Sequence, residues 1–217
     1  MQKIVAIDGP CASGKGTVAK LIKEKCNLTY IDTGAMYRAI AYLTIVNSIN
    51  IDDEEKIVDL AKDSKIEFKQ DKVFINDMDV TNEIRTLEVS KIVSPISSIV
   101  KLREVLVDKQ RELANGLDVI MEGRDITTVV FPDATYKFYL DADFDERAKR
   151  RYKECLSKGM NVSIEEVKEN MRNRDYNDSH KEVGSLIRTE DAIYIDSTNM
   201  SVEEVVNKIV NIIEGEK

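Results

Sequence analysis

Along this chain, short unbroken apolar runs alternate with longer stretches in which apolar residues recur every three or four positions. The first run, Ile4-Val5-Ala6-Ile7, leads into Gly9-Pro10-Cys11-Ala12-Ser13-Gly14-Lys15-Gly16-Thr17 and then into a helical pattern that lasts to about Cys26. Leu28-Thr29-Tyr30-Ile31 reads as a second short strand. At the junction Asp32-Thr33-Gly34, either Asp32 or Thr33 is placed to cap the next helix, which carries Tyr37, Ile40, Ala41 and Leu43 and fades near Asn47 to Asn50. Ile66-Glu67-Phe68 and Val73-Phe74-Ile75, on either side of Gln70-Asp71, alternate with polar residues and predict a small antiparallel hairpin. From about Thr86 to Asn115 the pattern is mainly helical, broken near Pro95.

Further strands are expected at Leu117 to Met121 and at Tyr136 to Leu140, the first followed by the polar turn Glu122-Gly123-Arg124-Asp125. A basic helix with Arg147, Arg150 and Arg151 ends near Gly159, and Ser163 with Glu166 forms a capping box for another. Ala192 to Ile195 is the last strand. Ser201 with Glu204 opens a final helix ending at Gly215, with Val202, Val205, Val206, Ile209, Ile212 and Ile213 expected on one face. Alternating strands and helices imply an α/β fold: a parallel sheet with helices on both faces. The hairpin interrupts that alternation and reads as an insertion. In such folds ligands bind at the carboxyl ends of strands, so the glycine-rich loop, Asp32-Thr33-Gly34 and Glu122 to Asp125 are expected to face one cleft. No repeat, low-complexity tract or linker interrupts the chain.

The strand, glycine-rich loop and helix at the start form a phosphate-binding loop. Glycines let the backbone wrap round an anion with its N–H groups pointing inward, and the next helix adds the positive end of its dipole. Lys15 supplies a full charge that reaches the terminal phosphates of a nucleotide. The usual motif has Ser or Thr directly after the lysine, as a Mg²⁺ ligand. Here Gly16 takes that place and Thr17 follows, an ending that resembles nucleoside monophosphate kinases more than GTPases or motor ATPases.

Composition narrows the picture. The 217 residues are 42% hydrophobic and 33% charged, as in a soluble globular protein long enough for one α/β domain. A net charge of −8 speaks against a general nucleic-acid surface but not against a local nucleotide site. The single histidine, His180, speaks against a histidine-based metal site and against Ser-His-Asp hydrolase chemistry. The three cysteines, Cys11, Cys26 and Cys155, lack metal-ligand spacing and fit a reducing compartment. Cys26 and Cys155 are expected to be buried helix residues. No run has the length of a membrane span, no signal peptide is expected, and a cytoplasmic location is the expectation.

Several segments together resemble bacterial cytidylate kinases. They are Asp32 to Arg38, Glu122 to Asp125 continued by Thr128-Val129-Val130-Phe131-Pro132-Asp133-Ala134, Arg174-Asp175 with Asp178, and Asp196-Ser197-Thr198. The likeness runs in order over nearly the whole chain. It implies a single P-loop NTPase-type kinase domain over residues 1–217, with a monophosphate-binding region at about 35–100, a β insert at about 64–80 and a short lid at about 151–170. It also implies transfer of the γ-phosphoryl of ATP to CMP or dCMP, with Mg²⁺ carried by ATP and no dedicated protein metal site. Residues Gly9, Pro10, Cys11, Ala12, Ser13, Gly14, Lys15, Gly16 and Thr17 would bind ATP. By matching position, Ser94, Arg103 and Asp125 would read cytosine, Arg174 and Asp178 the pentose, and Thr33, Arg38 and Arg124 the monophosphate. Lys15 with Arg147 and Arg151 would neutralise the transferring group.

Two positions depart from the family pattern. Lys181 stands where an arginine on the acceptor phosphate is usual, and Glu122 where some members have Asp. Cys11 reads as a small loop side chain, or as a thiol activated by the helix N-terminus and Lys15. A kinase for another small acceptor, such as AMP or shikimate, is the alternative within the class. A GTP-dependent switch is the alternative outside it, although Gly16 and the lack of an Asn-Lys-x-Asp segment disfavour that. No heptad seam is present, and a monomer with small-molecule substrates is expected.

Overall fold

The computed structural model describes residues 2–69 and 71–215. They fall into two compact units. One comprises Met1–Tyr30, Leu117–Lys181 and Ser185–Lys217, and the other Ile31–Gly116 with Glu182–Gly184.

The first unit is built on strands β1 (Ile4–Asp8), β6 (Val119–Gly123), β7 (Tyr136–Asp141) and β8 (Ile193–Asp196). β2 (Thr29–Asp32) carries the chain from this unit into the other, and the strand order is β2-β6-β1-β7-β8. β1 lies parallel to both β6 and β7, and β7 lies parallel to β8, as the α/β alternation requires. The central strand is buried along almost its whole length, with Val5, Ala6 and Ile7 fully enclosed. Helices α1 (Lys15–Cys26) and α8 (Val202–Glu214) cover the sheet with Val18, Ile22, Val206, Ile209 and Ile213 packed around Ile7 and Phe138. Each such aliphatic side chain contributes about 1.5–3 kcal/mol on leaving water. α8 has the expected capping box, with Ser201 accepting from the Glu204 amide, and ends on Gly215 at φ 78°.

Helices α6 (Phe144–Ser157) and α7 (Ile164–Ser179) pack together through Ala148, Cys155, Val167 and Met171, with Cys11 of the phosphate loop in the same cluster. The Ser163–Glu166 capping box opens α7 as expected. Cys155 is buried, but Cys26, at the last turn of α1, is only half-buried.

The second unit holds α2 (Thr33–Val46), α3 (Glu54–Asp63), α4 (Leu87–Ile96) and α5 (Val100–Ala114). Asp32, not Thr33, caps α2 by accepting from the Ala35 amide. Pro95 lies inside the last turn of α4, and the break follows it at 97–99. The predicted hairpin is part of a three-stranded antiparallel sheet of β3 (Ile66–Lys69), β4 (Lys72–Ile75) and β5 (Met78–Asp79). Ile66 faces Ile75 and Phe68 faces Val73, while Gln70 of the turn lies outside the described residues. β4 and β5 are joined by Asn76 and Asp77, both at positive φ (49° and 63°), the backbone that a two-residue hairpin loop demands. Lys109 of α5 donates to the Lys62 and Ser64 carbonyls, filling the open end of α3.

Candidate active site

The phosphate loop is shaped by contacts that only some residues tolerate. A Cβ on Gly9 would stand 2.0 Å from the Leu140 carbonyl oxygen, which is backbone and fixed by the sheet. Gly14 takes φ 96° and opens α1. Lys15 is buried and donates from Nζ to the Pro10 carbonyl (2.8 Å) and the Ser13 hydroxyl (3.3 Å), so the loop curls round its own ammonium. Burial, and then the nearby Arg124 guanidinium, hold the Lys15 pKa down to about 8.

Gly16 explains its own departure from the usual motif. A Cβ there would meet Glu122 Oε1 at 2.9 Å and the Tyr30 hydroxyl at 3.4 Å. The Tyr30 hydroxyl donates to that same carboxylate oxygen at 3.1 Å. Glu122, at the end of β6, therefore occupies the space that a Ser or Thr side chain would need. The Thr17 side chain is exposed at the start of α1.

The turn after β6 brings Arg124 to a buried carboxylate. Arg124 Nε donates to Asp178 Oδ2 at 2.7 Å, and Lys181 Nζ donates to Asp178 Oδ1 at 3.0 Å. Arg174 Nε lies 4.0 Å from Asp178 Oδ2. Burial alone would push the Asp178 pKa up, but Arg124, Lys181 and Arg174 outweigh it and hold the carboxyl well below the usual range. One carboxylate thus gathers three cations that the family resemblance divides between pentose (Arg174) and acceptor phosphate (Arg124 and Lys181). Asp125 is buried at 5% exposure beside them.

Helices α6 and α7 grip the loop from outside. Asp175 accepts from the Cys11 amide at 3.3 Å and from Arg147 Nη1 at 2.6 Å. Arg147 also donates to the Cys11 carbonyl (3.0 Å) and the Ala142 carbonyl (3.0 Å), and is 7% exposed. Arg174 Nη1 stands 3.8 Å from Cys11 Sγ. Arg151 pairs with Glu154 one turn along its own helix at 2.8 Å. Asp175 and Arg150 support the site although nothing in the sequence marks them for that role; Arg150 donates to the Ser197 carbonyl at 2.7 Å. Their signal, a polar residue at one turn's spacing on a helix, is common to any solvated face.

The remaining candidates lie in the second unit, each with its own support. Arg38 Nη2 pairs with Asp32 Oδ2 at 2.9 Å, so one aspartate caps α2 and orients the arginine. Thr33 opens α2 and is buried. Arg103, 3% exposed, donates to the Ser97 carbonyl at 2.8 Å and lies 5.3 Å from the Tyr37 ring centroid. Ser94 is half-buried on α4, where its carbonyl accepts from the Ser97 and Ser98 hydroxyls.

The first unit so far is an anion site of P-loop form flanked by an arginine turn and a carboxylate-bound set of cations. Known proteins sharpen this. The solved structure of an uncharacterized protein from Eubacterium ventriosum ATCC 27560 superimposes with a TM-score of 0.53 at 15% identity, covering 98% of this chain and 99% of that one. A sugar kinase from Janibacter sp. HTCC2649 gives 0.50 at 13% identity, covering 99% of this chain and 95% of that one; at such identities both speak for the fold alone. Closer in sequence is the cytidylate kinase of Alkaliphilus oremlandii (strain OhILAs), 47% identical over 211 residues that cover 97% of each chain. That of Leuconostoc mesenteroides is 49% identical over 215 residues, 97% of this chain and 96% of its own. The cytidylate kinase family model matches residues 5–215, and with the arginine turn and phosphate loop in place the chain belongs to the cytidylate kinase family.

Proposed function

We propose that this protein transfers the γ-phosphoryl group of ATP to CMP or dCMP, giving ADP and the nucleoside diphosphate. The observation that carries the reading furthest is the turn Arg124-Asp125 at the end of β6, set beside Lys15 and braced by Asp178. Phosphoryl transfer asks the protein for positioning and charge neutralisation, with little covalent work. Gly9 to Thr17 bind the donor phosphates through the backbone N–H groups of the loop and the start of α1, apart from Pro10, which has none, and Cys11, whose amide is held by Asp175. Lys15 exchanges its bonds to Pro10 and Ser13 for phosphate oxygens. Arg151 brings charge to the transferring group from α6. Arg147, held by the Cys11 carbonyl and by Asp175, adds its charge from the same helix.

In the first unit Arg124 and Lys181, both already oriented by Asp178, are the candidates for the acceptor phosphate, and in the second unit Arg38 and Thr33 are. Arg38 Nε is buried without an acceptor among the described residues, which suits a phosphate oxygen. Arg174 and Asp178 hold the pentose. In the first unit Asp125 is suited to accept from the cytosine amino group, and in the second unit Arg103 and Ser94 carry the donors that ring N3 and O2 call for. Uracil has a carbonyl where cytosine has the amino group, so Asp125 would meet an acceptor with an acceptor and reject it.

Mg²⁺ enters as part of the MgATP substrate. Glu122 and the Thr17 hydroxyl are hard oxygen donors near the loop lysine, and so small a set suits an ion that keeps water and phosphate as its other ligands. Once bound, the ion spreads the charge of the β- and γ-phosphates. Residues 151–170 act as the lid that excludes water from this chemistry. The test is ADP release from MgATP with CMP, dCMP, UMP, AMP and GMP offered separately. Strong turnover with CMP and dCMP alone is expected, and equal turnover with UMP or AMP would overturn the base assignment.

A further inference from the structure

Asp8 is a fully enclosed carboxylate to which the reaction described above gives no role. It is the last residue of β1, directly before Gly9, and its Cα registers with Gly123 on β6 and Tyr139 on β7. Its two oxygens take three hydrogen bonds. Oδ1 accepts from the Ile126 amide at 3.0 Å, and Oδ2 accepts from the Thr127 amide at 2.8 Å and the Thr127 hydroxyl at 2.7 Å.

Those donors are the first two amides of a single wide helical turn, Ile126–Val130, with π geometry. The opening amides of any helical turn lack partners within it and need an acceptor from elsewhere. The residue at the capping position is Asp125, whose side chain makes no capping bond, and Asp is among the side chains best suited to make one. Asp8 performs that task from 118 residues away in sequence. Burial raises the Asp8 pKa against the pull of these bonds, and the neighbouring Asp125 charge adds to the rise, so the two carboxylates stand near one another at an electrostatic cost. A local cap by Asp125 would have spared that cost but turned its carboxylate onto its own backbone.

We propose that Asp8 is a positioning and specificity-determining residue, capping Ile126–Val130 in place of Asp125 so that the Asp125 carboxylate is presented to the base of the acceptor nucleotide. This rests on the reading of Asp125 as the group that recognises cytosine. Asp8 touches neither substrate and acts through the turn, tying acceptor discrimination to the strand that carries the phosphate loop.

Two variants test it. Asp8→Asn keeps the volume but sets an amide NH₂ against a backbone N–H, and Thr127→Val removes one of the three donors while leaving both amides. Each is compared with the parent by kcat/KM for CMP and for UMP at saturating MgATP, after titration of active sites. Asp8→Asn is expected to raise the KM for CMP and lower the CMP-to-UMP preference by about tenfold or more, and Thr127→Val by about two- to fivefold, as buried polar readout loosens. A merely structural role lowers turnover of both acceptors alike and leaves the ratio intact. If Asp8→Asn does not fold, Thr127→Val decides alone. An unchanged ratio in the variants that fold overturns the proposal. Asp125→Asn, run alongside, separates the two levels: if it keeps the parent's preference, the cytosine reading itself fails and the proposal falls with it.

Discussion

Gly16→Ser restores the usual residue of a phosphate loop and is expected to damage this one. The new Cβ would stand 2.9 Å from Glu122 Oε1, closer than real Cβ contacts, so the flexible end of Glu122 must move. That movement costs the bond from the Tyr30 hydroxyl, now 3.1 Å long. A hydrogen bond to a charged group contributes about 1.5–3 kcal/mol, and the half-buried setting favours the lower part of that range. Replacing glycine by serine in a helix returns about 0.5 kcal/mol. The net loss is about 1–2 kcal/mol, or a fall in Tm of roughly 2–8 °C for a chain of this size. Glu122→Asp draws the carboxylate back by one methylene and loses the same Tyr30 bond by itself. With that bond already gone, Gly16→Ser has nothing left to displace, and the double variant should be no less stable than Glu122→Asp alone. The assay is thermal and denaturant unfolding of the four proteins in a double-mutant cycle, with KM for MgATP measured on each. KM should rise in Gly16→Ser and recover in the double variant. Stability changes that add to within about 0.5 kcal/mol would refute the argument, since they would mean that the two positions do not meet.

Asp178→Asn removes the negative charge between Arg124 and Lys181 and should cost about 3–5 kcal/mol in urea unfolding, with a large loss of acceptor binding. Because the folded pKa of Asp178 lies below its ordinary 3.8, its stabilisation is complete above that value and is lost as pH falls below it; the Asn variant should show a flatter acid limb. The Lys15 ammonium, held down to about 8, should make KM for MgATP rise above that pH. Between about 8 and 10.5 the unfolded chain binds the Lys15 proton more tightly, so this group makes the fold more stable as pH rises, and a KM rise that tracked unfolding would refute the assignment. Lys181→Arg supplies a planar fork for the acceptor phosphate, and KM for CMP should fall or stay unchanged; a clear rise would sink the phosphate role. Ser201→Ala removes the cap of α8 and should cost about 0.5–2 kcal/mol with both KM values intact.

What could be read from the sequence was whatever its local chemistry determines. The phosphate loop needs its glycines and lysine in a row, and the capping boxes at Ser163 and Ser201 announce themselves within four residues. Helix α3 escaped notice because its buried face is only Ile57, Val58 and Ala61 in a polar run, and its far end is closed by Lys109 from another helix. β5 is two exposed residues whose pairing depends on the Asn76-Asp77 turn. The turn at Ile126–Val130 was illegible because its cap is on β1. At the site, the residue types are legible singly, but not that Asp178 binds Arg124 and Lys181 together or that Arg147 bonds to the Cys11 carbonyl. Those are facts of convergence between distant segments, and no spacing rule encodes them.

The grip of Asp175 and Arg147 on Cys11 has a consequence for how the protein would report on itself. The Cys11 amide is satisfied by a side chain of α7, and its carbonyl by a side chain of α6. Solvent exchange at that one amide therefore follows the detachment of α7 and not the fraying of the loop. An isotope label at Cys11 would act as a gauge of helix motion placed in the phosphate loop. Linkage then runs both ways: if a nucleotide binds more tightly with α7 docked, it favours α7 docking by the same factor by which detaching α7 would weaken the nucleotide.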